Sequence, residues 1–196
     1  MRSLSLGFIL MFGGWVLLSA IDEMQVAKDP NIEQVILRGK PTDAHKILDS
    51  YLGTWSCKVR TRSSPEEEFQ FSMGTSEMKL VMGGRFLKQM FNGDWAGQIF
   101  EGEGLLGYDQ IRQEYQLIWI DNFSTGLMSG TGSYDKGAKS LKFSGTYSSP
   151  FTGESARAFR SEWKVLNQKS TVYTTYEMGP SGKEFQAMEI VYSRAE

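Results

Sequence analysis

The sequence predicts an all-β protein: a closed antiparallel barrel of about nine or ten strands with one short N-terminal helix before the first strand. Three observations carry that expectation. From Gly53 onward, apolar residues recur with a period of two. Turn-forming clusters interrupt the pattern at short intervals. They leave no helix-length segment between strands, so the connections are antiparallel hairpins rather than parallel crossovers. Glycines also stand inside strands, where they mark the bends that curl a sheet shut. The last observation separates a barrel from a sandwich.

Composition narrows the function classes. A chain of 196 residues is one domain with short appendages. Its 21 Lys and Arg against 23 Asp and Glu leave a net charge of −2, which excludes a nucleic-acid binder built on a broad basic face. The lone histidine is His45 and the lone cysteine is Cys57. Together they exclude an intramolecular disulfide and a structural zinc or iron–sulfur site. No cofactor is expected.

Residues 1–20 read as a secretory signal peptide. Arg2 supplies the positive n-region, Leu4 to Leu18 are largely apolar, and Leu18-Ser19-Ala20 ends on small residues. Cleavage after Ala20 predicts an exported protein, periplasmic or secreted. The uncharged run from Ser3 to Ile21 is also just long enough to span a bilayer. An uncleaved anchor is therefore the rival reading, and membrane contact is expected through the leader alone. Residues 21–41 form an arm of weak pattern, loosely ordered or partly helical, with Pro30 and Pro41 in it. Residues 42–196 are the barrel domain.

The helix starts at Thr42 or Asp43 as N-cap. Ala44, Ile47, Leu48, Tyr51 and Leu52 follow at helical spacing, and Gly53 stops it. The strands then follow in order. Trp55, Cys57 and Val59 share a face; so do Phe69, Phe71 and Met73. Tyr115, Leu117 and Trp119 share the face of a later strand, as do Leu141, Phe143 and Tyr147. Phe159, Trp163 and Val165 come next, then Val172, Thr174 and Tyr176, then Met188, Ile190 and Tyr192. Turns are expected at Gly83-Gly84, Asn92-Gly93-Asp94, Asp109-Gln110, Asp135-Lys136-Gly137, Asn167-Gln168 and Pro180-Ser181-Gly182. Gly102, Gly104 and Gly107 stand within one strand, and Gly130 and Gly132 within another.

Several segments occur together: Leu52-Gly53-Thr54-Trp55, Met82-Gly83-Gly84-Arg85-Phe86-Leu87, and Phe100 to Asp109 with its three glycines. Tyr115, Trp119-Ile120-Asp121, Ser124-Thr125, Gly130-Thr131-Gly132 and Met188 to Arg194 complete the order. This order resembles a bacterial family of uncharacterised proteins known only as a domain of unknown function, over about residues 42–196. The resemblance implies a lipocalin-like, calycin-type barrel and brings no activity with it. The Gly-x-Trp at Gly53 and Trp55 is similar to that of lipocalins and fatty-acid-binding proteins, where the indole closes the barrel bottom against a late-strand Arg. Gly53, Trp55 and Arg194 are the corresponding candidates, with the guanidinium stacked on the indole. Some barrels of this kind bind haem through a late-strand histidine. Here those strands carry none.

Other chemistry is weakly supported. Gly102-x-Gly104-x-x-Gly107 matches a dinucleotide-binding pattern, but no helix follows to hold a phosphate. Glu101 and Glu103 share a strand face, roughly 6.7 Å apart. A cation site or acid–base pair with Asp109 or Asp121 is their functional reading, and a solvated face the bland one. Cys57, in phase with Trp55, reads as a small buried hydrophobe. Arg85 has two readings: a clamp for a carboxylate ligand, or a structural partner of Glu101 or Asp121. Tyr108, Trp119 and Trp163, with Trp95 and Tyr147, either line a cavity or pack a core. The candidate ligand-binding residues are therefore Arg85, Tyr108, Trp119, Trp163 and Arg194. The expectation is a non-catalytic barrel that binds a small apolar or amphipathic ligand. A filled barrel working as an interaction module, and a carboxylate hydrolase or isomerase at the mouth, are the alternatives.

Overall fold

The computed structural model describes residues 30–195. The leader and the first part of the arm lie outside the described residues. The chain divides after Arg38 into two units. The described part of the first is helix α1 (Pro30–Arg38), with Glu33 in its first turn and Arg38 in its last, an arrangement that suits the helix dipole.

The second unit begins with a single turn of helix, α2 (Asp43–Lys46), continued as a 3-10 segment over Ile47–Tyr51. The sequence suggests one regular helix here. The tighter winding instead stacks Leu48 over Tyr51 at i, i+3, and both become fully buried. Thr42 is the N-cap, in extended conformation.

Ten strands follow: β1 (Gly53–Thr61), β2 (Gln70–Val81), β3 (Phe86–Trp95), β4 (Gln98–Asp109) and β5 (Glu114–Asp121), then β6 (Met128–Asp135), β7 (Ser140–Tyr147), β8 (Arg157–Asn167), β9 (Ser170–Met178) and β10 (Glu184–Arg194). Each pairs antiparallel with the next, and β10 returns to pair with β1, from Trp55 opposite Arg194 to Thr61 opposite Met188. The result is a closed up-and-down barrel, which leaves no open sheet edge. Among the described residues no helix is long and apolar enough to cross a membrane.

Three local expectations are corrected. Asn92-Gly93-Asp94 is not a turn but part of β3. The hairpin turns two residues later, where Ala96 and Gly97 both take positive φ, as a type I′ turn requires. Gly93 instead sits opposite Gly74, where an added Cβ would come within 3.0 Å of the Met73 carbonyl. On β2, Phe71 and Met73 point outward and are exposed, because pairing places Ser72 and Gly74 beside the inward Val59 and Cys57. On β9, Thr171, Tyr173 and Thr175 take the inner face instead of Val172, Thr174 and Tyr176. Trp163 opposite Tyr173 and Ser161 opposite Thr175 set that register.

Candidate functional site

One end of the barrel is sealed. The Tyr51 hydroxyl donates to the Trp163 carbonyl at 2.9 Å, and the Trp55 indole donates to the Tyr51 carbonyl at 2.9 Å. The Tyr115 hydroxyl ties the helical turn down by donating to the Ala44 carbonyl at 2.7 Å. Arg194 lies over the Trp55 ring, 4.5 Å from its centre, and also donates to the Gln168 carbonyl. Gly53 has φ +115°, and a Cβ there would meet the Arg194 guanidinium at 2.4 Å. The structure therefore brings Gly53, Trp55 and Arg194 together at the closed end.

His45 belongs to this end too. It is buried, its Nδ1 accepts the Thr42 backbone N–H at 3.0 Å, and its ring meets Tyr108 edge-on. Burial, then the nearby Arg85 charge, hold its pKa below the usual histidine value, against an opposing hydrogen bond to the Tyr108 backbone. A depressed folded pKa means the unfolded chain binds the proton more readily. The associated stability is complete above about pH 6.5 and is lost as pH falls through the folded value. The urea midpoint is expected to drop between about pH 7.5 and pH 5, and His45→Gln to flatten that drop. Asp43, Asp109, Asp135 and Glu184 are also held low, but they act below about pH 4.5. An unchanged slope in the variant would contradict this role.

The other end is open. Above the sealed floor lies a cavity of about 490 Å³. At the floor the inward side chains are tightly enclosed: Leu141 is 0% and Tyr192 2% exposed. Higher up, Val59, Phe100, Leu117, Trp119, Met128 and Met188 also face inward, yet each remains partly accessible. Their accessible faces border the lumen. The barrel is not filled by its own side chains.

Glycines help keep it open. Gly102 and Gly104 occupy inward positions on β4, and the Trp119 indole lies flat across them. An added Cβ would fall 2.2 Å from that ring at Gly102 and 3.1 Å at Gly104. The indole N–H donates to Asp121 at 3.0 Å, which holds the ring against the wall. At the rim Trp95 packs on Phe123 and Phe151. Beside them Arg157, 9% exposed, binds Glu177 and makes two bonds to Glu154, while the Tyr147 hydroxyl donates to Glu177 at 2.8 Å.

Of the candidate ligand-binding residues, Trp119 forms cavity wall and Trp163 cavity floor. The other three lie outside the cavity. Arg85 sits in the β2–β3 turn and donates to the Met82 carbonyl at 2.9 Å. Tyr108 packs on His45 and Tyr115 at the closed end. Arg194 is committed to Trp55. Their positions follow from strand ends that turn at the sealed side. Glu101 and Glu103 point outward, with Glu103 paired to Lys88 at 2.8 Å, while Asp121 faces the cavity. Among the described residues no cluster of three His, Cys, Asp or Glu is placed to hold a metal ion. Cys57 is buried, which pushes its thiol up to about 12. Residues the sequence reading missed are Ser161, Tyr173, Thr175, Arg157 and Glu177. The parity of Phe159 and Trp163 carried the signal for Ser161 and Arg157.

Comparison with known proteins adds the family. The profile of the DUF1579 family, described as proteins of unknown function, matches residues 40–194. The chain belongs to that family. No curated protein matches it. The DUF1579 barrel is similar to the crystal structure of Rv2717c from M. tuberculosis, with TM-score 0.60 and 16% identity, covering 80% of this chain and 100% of that one. It is more distantly similar to a redesigned β-barrel, b11L5F_LGL, with TM-score 0.40 and 12% identity, covering 76% of this chain and 96% of that one. The first likeness supports the barrel fold of this DUF1579 protein.

Proposed function

We propose that this DUF1579 protein is an exported, lipocalin-like carrier that holds a small apolar or amphipathic ligand in its barrel without catalysis. The observation that carries the reading is the contrast along the barrel axis. The floor is sealed by fully buried side chains, while inward residues higher up stay accessible around about 490 Å³. A pocket of that size, mostly apolar with a few polar groups, suits a lipid-sized or drug-sized molecule. Export rests on the pattern of residues 1–20, and the site of action is then periplasmic or extracellular.

A titration with the uncharged dye N-phenyl-1-naphthylamine tests the binding reading. Saturable fluorescence enhancement is expected for the mature chain. Leu117→Trp, which projects an indole into the lumen, should weaken it by about tenfold or more, about 1.4 kcal/mol, with the β-sheet circular dichroism retained. Absence of saturable binding, or equal binding by the variant, would count against it.

A further inference from the structure

Arg62 follows directly on β1 at the open end and belongs to the cavity lining. It is half-buried rather than sealed. Its place is set by β10, whose register against β9 shifts between Gln186 and Met188. Such an irregularity breaks the ladder locally and leaves carbonyls for other donors. The Gln186 carbonyl accepts from the Arg62 Nε at 2.9 Å, and the Ala187 carbonyl from the Arg62 backbone N–H at 2.9 Å. The Arg62 Nη1 donates to the Pro65 carbonyl at 3.1 Å. The guanidinium carbon lies 4.6 Å from the centre of the Phe69 ring and 5.7 Å from that of Phe185. Of the five N–H groups of a guanidinium, the side-chain bonds use two and leave three. The cation is therefore fixed in place with donors to spare.

Its charge is unmatched. Among the described lining residues the cations are Arg62 and Arg157. Arg157 is neutralised by Glu177 and Glu154. The partners of Arg62 are carbonyls and rings, and no described carboxylate forms an ion pair with it. The acidic groups of the lining are engaged elsewhere. Glu67 accepts the Ser63 N–H, Asp94 the Gly97 N–H, and Asp121 the Trp119 indole and the Phe123 N–H. Asp121 also stands on β5, across the ten-strand ring from β1. A half-desolvated guanidinium beside an apolar lumen gains most from an anion that a ligand brings to it.

We infer that the cavity takes a single-chain amphiphile with a carboxylate head, which pairs with Arg62 at the mouth while the apolar tail fills the lumen. The inference rests on the lumen being a binding site, and it names the class of ligand. A carboxylate matches the planar fork of the guanidinium and carries one charge for one charge. A dianionic phosphate head would add a second charge beside Glu67 and Asp94, which line the same mouth.

The test is displacement of N-phenyl-1-naphthylamine from the mature chain by dodecanoate, dodecan-1-ol and dodecyltrimethylammonium, near neutral pH and below their micellar concentrations. Dodecanoate should displace the dye about tenfold more effectively than dodecyltrimethylammonium, which has the same tail and the opposite charge, as expected for a charge-assisted contact. Arg62→Gln should weaken dodecanoate about tenfold relative to dodecan-1-ol, while the dye still binds. Dodecyltrimethylammonium equal to or better than dodecanoate, or an unchanged ratio of dodecanoate to dodecan-1-ol in the variant, would overturn the inference and leave the carrier reading standing. Failure of the dye itself to bind removes the lumenal site, and both readings with it. The wild-type series alone decides the matter if the variant does not fold.

Discussion

Trp55→Ala is expected to lower the free energy of unfolding by about 3–5 kcal/mol, the usual loss for truncating a large buried aromatic. The indole is 1% exposed, meets Tyr192 edge-on, lies under Arg194 and donates to Tyr51. Removing it leaves a void at the floor, frees the guanidinium and strips the Tyr51 carbonyl of its donor. Trp55→Phe keeps the ring stack and should lose about half as much. Urea denaturation of both variants reads the difference. A loss under about 1 kcal/mol for Trp55→Ala would show that the closed end is not held by this residue.

Gly102→Val carries the second large effect, and it falls on binding as well as stability. The Trp119 ring occupies the space a side chain at Gly102 would need. The new side chain must push the indole off the wall and into the lumen, breaking its bond to Asp121. Overpacking of this kind costs about 1–3 kcal/mol. The displaced ring should also reduce dye binding by about tenfold, about 1.4 kcal/mol, although residue 102 is not itself a lining residue. Trp119 fluorescence offers a check through a changed emission maximum. Unaltered dye affinity in a folded variant would contradict the wall-holding role of the glycine.

These two sites show how far the sequence carries. Trp55 with Arg194 was legible because Gly53-x-Trp55 and the terminal arginine are local patterns that family resemblance ties together. The ten strands were legible because alternation and turn chemistry are local as well. The inner faces of β2 and β9 were not. The side a strand presents is decided by its register with neighbours, and Phe71 or Val172 looks as suited to a core as Ser72 or Tyr173. The turn expected at Asn92-Gly93-Asp94 failed for a related reason. Gly93 is needed for close approach to Gly74, and that contact exists only across the sheet. Whether the barrel is filled was also beyond reach of the pattern. It depends on Trp119 lying flat over Gly102 and Gly104 rather than projecting inward. Arg85 drew attention as a charge beside an apolar strand, yet its place in the closed-end turn directs it away from the lumen.

The proposed carrier role places a lipid-sized molecule in the lumen of this DUF1579 barrel, outside the cytoplasm. Native mass spectrometry of the protein isolated from the cells that make it reads both the start of the chain and the contents of the lumen. A chain that begins at Ile21 is expected, carrying a non-covalent organic adduct of a few hundred daltons (the scale set by the cavity). That adduct should be lost on denaturation and absent from Leu117→Trp. A chain that retains Met1, or one that is consistently empty under conditions that preserve known lipid carriers, would contradict it.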